Sequence, residues 1–421
     1  MQLFRELGEQ IEEHWRARDY NEEVFPSLAA EALQSAAIPS KISAWEVVEW
    51  ALTQNELPPQ KDPSANFGDP PITLFVAPRF YIDVYFWLDG TTEIHQHSFC
   101  GAFQVLMGSS IHSWYDFAAR DRVNSFTEIG DMELKVCQLL VHGDIQEIQA
   151  GRRYIHSLFH LDQPSATIVV RTDKSPLYLP QYSYHKPYLA TDPFYSHETT
   201  NRKLQTIGAL FAVKHPETDR MVTGVLEQSD FQTSVAVLNT VRHHLSTNQL
   251  DQLFNLSQPV ERFRGFLDVV RRRHGERAEV LPAVFSHRDM QDEIVRRRGY
   301  VTNPEHRFFL ALLLNVEGRD NVFKLVGQRY PDAEPLEKVL DWVLELAQTR
   351  VVGGKPPNAL GIENFGQIDL ALLEGMLNGK SDATITDELR REVGENTDLI
   401  ADLEARLTLI REALIFRPLF A

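Results

Sequence analysis

Three patterns of apolar and polar residues follow one another along the 421-residue chain. In residues 1–56 apolar positions recur every three or four residues, as in "LFRELGEQIEEHW", which predicts amphipathic helices. Ser43, followed three residues later by Glu46, predicts a capping box at the start of one helix. From Ile72 to about Pro180, short runs rich in Val, Ile, Phe, Tyr and Thr alternate with turn residues, which predicts the many short strands of a barrel or sandwich. After this segment, apolar positions again recur every three or four residues, which predicts helices.

These patterns predict an α+β protein in three parts. A short helical segment, residues 1–56, precedes a β-barrel at residues 57–190, and an α-helical region at residues 191–421 occupies more than half of the chain. In this last region the runs "FFLALLLNV" and "VLDWVLELA" are typical of the core of a helix bundle. The helical region either caps the barrel or mediates assembly, and a homodimer is one form that such assembly can take.

The acidic balance of the chain argues against two classes of partner. A net charge of -17 at pH 7 disfavours nucleic acids and anionic membranes, because basic surfaces hold both. The two cysteines, Cys100 and Cys137, are too few for a disulfide framework and fit a reducing compartment. The N-terminus lacks the apolar core of a signal peptide, and the longest apolar run, Phe308–Val316, is far shorter than the roughly 20 residues that span a bilayer. We therefore expect a soluble cytoplasmic protein.

Two histidines stand in a segment that otherwise predicts buried β-structure. His95 and His97 are two positions apart, so a strand would place both rings on one face. A third histidine, His156, follows in a later predicted strand. Two imidazoles from one strand and one from another can hold a divalent first-row metal and leave open positions for a substrate and for oxygen. The alternative is that all three are ordinary polar residues on a solvated strand face.

Other side chains are candidates for the neighbourhood of this site. Arg171 ends the run "SATIVVRT" and can point inward, where a guanidinium would pair with a carboxylate or phosphate; a salt bridge at the rim is the alternative. Arg79 is a weaker candidate for the same role. His160 lies four residues beyond His156 and would share its face, as a hydrogen-bonding partner of the site or as a competing ligand. His112, in "SSIHSWYDF", is predicted to be structural or to lie at the rim.

The histidine segments resemble the two motifs of the cupin superfamily. "GTTEIHQHSFCGAFQVLMG" matches the first motif, a glycine followed by the paired histidines and a closing glycine, and "GDIQEIQAGRRYIH" resembles the second. The likeness covers about residues 72–175 and implies a cupin-type barrel, the double-stranded β-helix. Cupins often carry a glutamate ligand shortly after the paired histidines. Cys100 and Gly101 occupy those places here, so the resemblance implies a site of three histidines.

Among cupins, the chain is similar to thiol dioxygenases of the cysteine dioxygenase type. An apolar strand ending in Trp87 leads through a glycine turn into Ile94–His97 and then into a hydrophobic strand that closes on Gly108. This likeness implies that the three histidines bind ferrous iron. It also implies that Tyr85 and Trp87 face the pocket, and Asp83 shares their side of the strand.

The chain departs from these enzymes around the substrate. In the mammalian enzymes a cysteine after the paired histidines is cross-linked to a tyrosine, whereas the corresponding places here hold Gly101 and Asp173. The family's serine–histidine–tyrosine relay is absent, because Val169 and Arg171 occupy its first two positions. The arginine that holds the substrate carboxylate also has no counterpart. The resemblance therefore extends to the metal site and does not extend to the thiol substrate.

The histidine pattern and the resemblance together predict an Fe(II)-dependent dioxygenase or oxidase, with manganese, zinc and nickel as alternative metals. Its substrates would be dioxygen and a small thiol, an amino acid or another small acid. One alternative is a non-catalytic cupin that binds a metal or a small ligand and uses its helical region for partner binding. Another is a metal-dependent isomerase or hydrolase, which would turn over without oxygen.

Overall fold

The computed structural model describes residues 1–61, 68–69, 71–88, 93–247, 259–352, 354, 356–393 and 402–420. Gly90, the first glycine of the histidine motif, lies outside the described residues. Contacts within the chain divide it into two compact units. The first unit consists of Met1–Asp116, Glu133–Leu179 and His287–Ala421, and the second consists of Phe117–Met132 and Pro180–Ser286. The domain boundaries at residues 57 and 191 stay a prediction.

The elements alternate from helices to strands and back to helices, as the sequence predicts. The strands are β1 (Pro71–Val76), β2 (Phe80–Trp87), β3 (Ile94–His97), β4 (Gly101–Met107), β5 (Ser110–Asn124), β6 (Thr127–Leu140), β7 (Ile145–Ile148), β8 (Gly151–His160), β9 (Ser165–Thr172), β10 (Ser183–His185) and β11 (Leu189–Thr191). The helices are α1 (Gln2–Arg16), α2 (Phe25–Ala36), α3 (Ala44–Thr53), α4 (Glu198–Ala212), α5 (Thr218–Gln228), α6 (Phe231–Thr247), α7 (Pro259–His274), α8 (Leu281–Gly299), α9 (Pro304–Asn315), α10 (Arg319–Arg329), α11 (Pro335–Gln348), α12 (Gln367–Leu377), α13 (Asp382–Val393), α14 (Leu403–Glu412) and α15 (Arg417–Phe420).

The strands of the first unit form two antiparallel sheets. One sheet has the order β1-β2-β9-β4-β7, and within this unit the other has the order β6-β5-β8-β3. If β2 to β9 are renumbered 1 to 8, the first sheet without β1 has the strand order 1-8-3-6. In the same numbering the second sheet has the order 2-7-4-5. This is the strand order of the eight-stranded jelly roll, the architecture of cupins. The predicted α+β fold with a double-stranded β-helix is therefore confirmed by the strand order itself.

The N-terminal helices α1 to α3 cover the outer face of the first sheet. Apolar residues of α1 and α2 are buried together with alternate residues of β2, which are Phe80, Ile82, Val84 and Phe86. The predicted capping box begins α3: the Ser43 hydroxyl accepts from the backbone of Glu46, whose carboxylate accepts from the backbone of Ser43. Because helices cover one face and the barrel interior lies on the other, β2 is buried on both sides.

The remaining residues of β2, which include Asp83, Tyr85 and Trp87, point into the barrel. Between the two sheets lies an inner cluster of buried side chains, here defined as Tyr85, Phe99, Phe103, Val105, Leu140, Ile148, Tyr154, Leu158 and Val169, with Trp87 and Trp114 packed against it. The period of two along each strand places these residues on the inner face. The functional side chains described below share that face.

The C-terminal helices of the first unit pack around α9. Its run "FFLALLLNV" is buried almost throughout, together with Trp342 and Val343 of α11, which confirms the predicted bundle core. Ile111 of β5 and Phe159 of β8 belong to the same core, so these helices cover the outer face of the second sheet. None of the helices in the described ranges combines the length and the apolar character that crossing a membrane requires.

The second unit has a core of its own. Ile129 of β6 and Leu189 of β11 pair directly and are buried with apolar residues of α4 to α7, such as Val222 and Leu238.

Candidate metal centre

Two strands of the second sheet bring three histidines together. His95 and His156 are direct partners in the antiparallel pairing of β3 with β8. The register then shifts, so that His97 lies opposite Gly151, whose φ of +71° is in the left-handed region that favours glycine. The potential ligand atoms of the three histidines lie within 4.8 Å of one another. The structure thus gathers the three residues that the sequence pattern selects, and the group can hold a metal ion.

His97 and His156 approach each other through their Nε2 atoms, and the His95 ring lies beside both. The Nε2 atoms of His97 and His156 are 2.8 Å apart. The ring centre of His95 lies 4.6 Å from that of His97 and 4.7 Å from that of His156. His95 directs Nδ1 to the carbonyl oxygen of Glu93, at 2.7 Å, which leaves its Nε2 for other contacts. Nδ1 of His97 has no hydrogen-bond partner among the described residues. Three imidazole donors without a carboxylate suit a divalent first-row metal.

The electrostatics of the site favour neutral rings. Burial lowers the pKa of His97 and of His156 well below the ordinary range, and neighbouring histidines lower both further. Burial also lowers the pKa of His95, which its hydrogen bond to the Glu93 carbonyl partly offsets. Metal ligation requires a neutral imidazole with a free lone pair, so these rings need not lose a proton to the solvent before they bind a cation near neutral pH.

Behind His156 lies a residue that the sequence did not place at the site. The Nε2 atom of His112 is 2.8 Å from Nδ1 of His156, and the Tyr154 hydroxyl is 3.2 Å from the same atom of His112. His112 is 0% exposed, not at the rim, and burial lowers its pKa to about 3. A usable signal was present in "SSIHSWYDF", because His112 and Trp114 are two positions apart and so share the inner face of β5.

Arg171 points inward, as its position along β9 allows. Its guanidinium lies 3.3 Å from the ring centre of Phe99, which is itself 4.3 Å from the His97 ring centre. It also hydrogen-bonds Tyr85, whose hydroxyl donates to Oδ2 of Asp83 at 3.1 Å. Burial raises the pKa of Tyr85, so the hydroxyl keeps its proton at neutral pH. A buried cation and a buried anion, bridged by a hydroxyl, therefore stand on the inner wall beside the histidines.

Trp87 and His160 form a different contact within the barrel. Their rings are stacked with centres 4.4 Å apart, and the Trp87 indole donates to Thr167 at 3.1 Å. Nδ1 of His160 lies 2.7 Å from the Ser165 hydroxyl, and burial lowers the pKa of His160 to about 3. Among the described residues the metal-ligating group contains His156 and not His160. Arg79 does not join the histidines either: its guanidinium lies 4.5 Å from the ring centre of Tyr20.

Gly101, Asp173 and Cys100, which the sequence comparison singles out, lie outside the metal-ligating group. A Cβ atom at Gly101 would collide with the carbonyl oxygen of Val170, because β4 and β9 approach closely there. Asp173 lies outside the inner cluster and pairs with Lys61, at 3.1 Å. Cys100 is buried with the outer layer of β2 and the N-terminal helices, which raises its pKa to about 12. Cys100 carries the one thiol among these three residues, and its position in the outer layer keeps that thiol away from the three histidines.

No family model and no curated protein matches the chain. Similar solved structures include CapF with the inhibitor 3-isopropenyl-tropolone, at 19% identity over 28% of this chain and 32% of CapF, with a TM-score of 0.21. A cupin-2 domain-containing protein from Shewanella frigidimarina is 12% identical over 32% of this chain and 97% of its own, with a TM-score of 0.18. The Drosophila melanogaster CENP-C cupin domain is 14% identical over 31% of this chain and 97% of its own, with a TM-score of 0.17. The chain thus spans about a third of CapF, and the fold assignment rests on the strand order.

Proposed function

We propose that the chain is a mononuclear metal-dependent cupin enzyme, an Fe(II) dioxygenase or oxidase that acts on a small acid such as an amino acid. One observation carries the proposal: three imidazole side chains from β3 and β8 converge inside the barrel with no carboxylate among them. His95, His97 and His156 would hold the metal. The choice of iron draws on the likeness of the histidine segments to thiol dioxygenases, and manganese, zinc and nickel are the alternatives.

A ferrous ion supplies Lewis acidity and one-electron chemistry towards dioxygen. The chain's own residues supply orientation and charge. Arg171 would pair with the carboxylate of the substrate, since its Nε has no hydrogen-bond partner among the described residues and its guanidinium lies on the same wall as His97. The protonated Tyr85 hydroxyl would hold the guanidinium in place.

The apolar residues of the inner cluster would exclude water from the reacting groups. Trp87 closes one part of this wall by its stacking on His160. Because a low-dielectric surrounding strengthens charge pairing, the bond between Arg171 and a carboxylate would be worth more here than at the protein surface.

Two measurements on the purified chain test this function. Protein purified without added metal should contain about one first-row metal ion per chain, and after anaerobic loading with Fe(II) it should consume oxygen with at least one of a panel of amino acids, small thiols and other small acids. His95→Ala, His97→Ala and His156→Ala should lose both properties, whereas His14→Ala, on the exposed side of α1, should keep them.

Each of the other results has a definite meaning. Full iron occupancy and turnover in His156→Ala would reject the site. Metal binding without oxygen consumption across the panel would favour the non-catalytic cupin. Turnover that proceeds without oxygen and with zinc or manganese would favour an isomerase or hydrolase.

A further inference from the structure

The three histidines of the metal-ligating group differ in what holds their second ring nitrogen. Nδ1 of His95 is 2.7 Å from the carbonyl oxygen of Glu93, and Nδ1 of His97 has no partner among the described residues. Nδ1 of His156 is 2.8 Å from Nε2 of His112. A histidine thus takes the place behind a ligand that a carboxylate, a backbone carbonyl or water usually occupies.

This contact constrains the position of the protons. A neutral imidazole carries one proton, so a ring that gives the lone pair of Nε2 to a cation carries its proton on Nδ1. In His156 that proton points at Nε2 of His112, which accepts it only if His112 carries its own proton on Nδ1. With His112 in that tautomer, the contact matches the form of His156 whose Nε2 lone pair faces His97, while Nδ1 of His112 has no partner among the described residues.

The surroundings of His112 hold its ring in place. Its side chain is 0% exposed, and its ring centre lies 4.2 Å from that of Trp114 and 5.7 Å from that of Phe103. The Tyr154 hydroxyl approaches Nε2 from another side, at 3.2 Å. A side chain packed in this way has little freedom to turn away, which makes it suitable for fixing the orientation of a neighbour.

We propose that His112 is a positioning residue for the metal centre, which accepts the Nδ1 proton of His156 and so presents Nε2 of His156 to the cation. The inference rests on the proposed metal site and adds a residue outside the ligand set. It acts through His156 and not by contact with the metal or a substrate.

Variants that separate hydrogen bonding from packing test this role. His112→Phe keeps a ring of similar size but removes the acceptor, whereas His112→Gln places an amide oxygen near the position of Nε2. We expect His112→Phe to weaken Co(II) affinity by about 10- to 100-fold, which is the usual effect of removing such a partner. We expect His112→Gln to recover most of the affinity. Competition with a chromogenic chelator measures the affinity, and the visible spectrum of bound Co(II) reports its ligand geometry.

A matched variant controls for the loss of a buried histidine. His160→Phe removes a similarly buried ring that stacks on Trp87 and that, among the described residues, is not part of the metal-ligating group, so it should leave Co(II) affinity and spectrum unchanged. Thermal unfolding of each metal-free variant establishes that it is folded. Wild-type affinity and spectrum in His112→Phe would overturn the role of His112 while leaving the metal site intact.

The remaining outcomes are equally decisive. Equal losses in folded His112→Gln and His112→Phe would overturn the proposal in favour of packing alone. A wild-type protein that binds no Co(II) would overturn the metal site and this inference together.

Discussion

The Nε2 atom of His97 lies 2.8 Å from the Nε2 atom of His156, although 59 positions separate the two residues in the chain. Two ring nitrogens at this distance are linked either by one shared proton or by a common cation. In His97 the alternative site for that proton, Nδ1, is buried without a partner among the described residues. A cation between the rings would instead accept a lone pair from each of the three histidines, so its binding has stabilisation to add to the folded chain.

Metal binding should therefore stabilise the folded chain. For a cation that binds only the folded state, a concentration 100 times the dissociation constant adds about 2.7 kcal/mol to the free energy of unfolding. We expect Co(II) to raise the melting temperature of the wild-type chain and to leave that of His156→Ala unchanged. Mg²⁺ serves as the control because it prefers oxygen ligands and should have no effect. Stabilisation of His156→Ala by Co(II) to the wild-type extent would locate the binding elsewhere.

Arg171 should determine the preference of the site for acids. Removal of one charged hydrogen-bonding partner costs about 1.5–3 kcal/mol, which corresponds to about 10- to 100-fold in affinity. In the Co(II)-loaded protein, we expect Arg171→Met to lose this much affinity for small carboxylates, while the weaker binding of the matching primary amides stays constant. Changes in the visible spectrum on titration measure both.

The control for this experiment is Arg79→Met. Arg79 lies on the ring of Tyr20, in contact with the N-terminal helices, and should not affect carboxylate binding. Because Arg171→Met removes a buried cation that hydrogen-bonds Tyr85, Arg171→Lys keeps the comparison interpretable if the first variant unfolds. If Arg171→Met and Arg171→Lys each lose as much affinity for amides as for acids, the result would contradict a role of Arg171 in charge recognition.

Much of the inner wall could be predicted from the sequence, because alternation along a strand is a local property. The spacing of Tyr85 and Trp87 predicts that they share a face, and the spacing of His95 and His97 does the same. Both pairs lie on the inner face in the structure. The inward direction of Arg171 follows from the same period along β9.

The contacts across strands could not be predicted in this way. His112 reaches His156 only because β5 pairs with β8 in the register that sets Trp114 opposite His156. That register depends on contacts between residues more than 40 positions apart in the chain, which no local period encodes. For the same reason, the local pattern did not reveal that β10 pairs with β11, and β11 with the part of β6 that belongs to the second unit.

Gly101 should be required for the close approach of β4 and β9. An added Cβ would collide with the carbonyl oxygen of Val170, so Gly101→Ala should lower the free energy of unfolding by about 1–3 kcal/mol or more. Gly327→Ala, in α10 of the same unit, is the matched control because its Cβ would meet only an ordinary contact with Pro335. That control should be neutral or stabilising by up to about 1 kcal/mol. Urea denaturation measures both, and a Gly101→Ala variant as stable as the wild type would contradict the close approach.

His160 should make the folded chain sensitive to acid. Burial lowers its pKa from the ordinary value of about 6.5 to about 3, so between these pH values the unfolded chain binds a proton that the folded chain does not. Stability therefore falls as the pH is lowered from about 6.5 towards 3, by up to about 1.4 kcal/mol per pH unit for this residue. His160→Phe removes the ionisable group and keeps a ring against Trp87, so its free energy of unfolding should fall less steeply with acid.

Denaturant titrations of the metal-free protein at pH 7, 6, 5 and 4 measure this slope. The other buried histidines, which include His112, contribute with the same sign in both proteins, so the difference between the two slopes isolates one proton. Leu158→Met, two positions away on β8, keeps His160 and should retain the wild-type slope. Identical slopes in His160→Phe and the wild type would mean that His160 is protonated as readily in the folded chain as in the unfolded one, which its burial against Trp87 argues against.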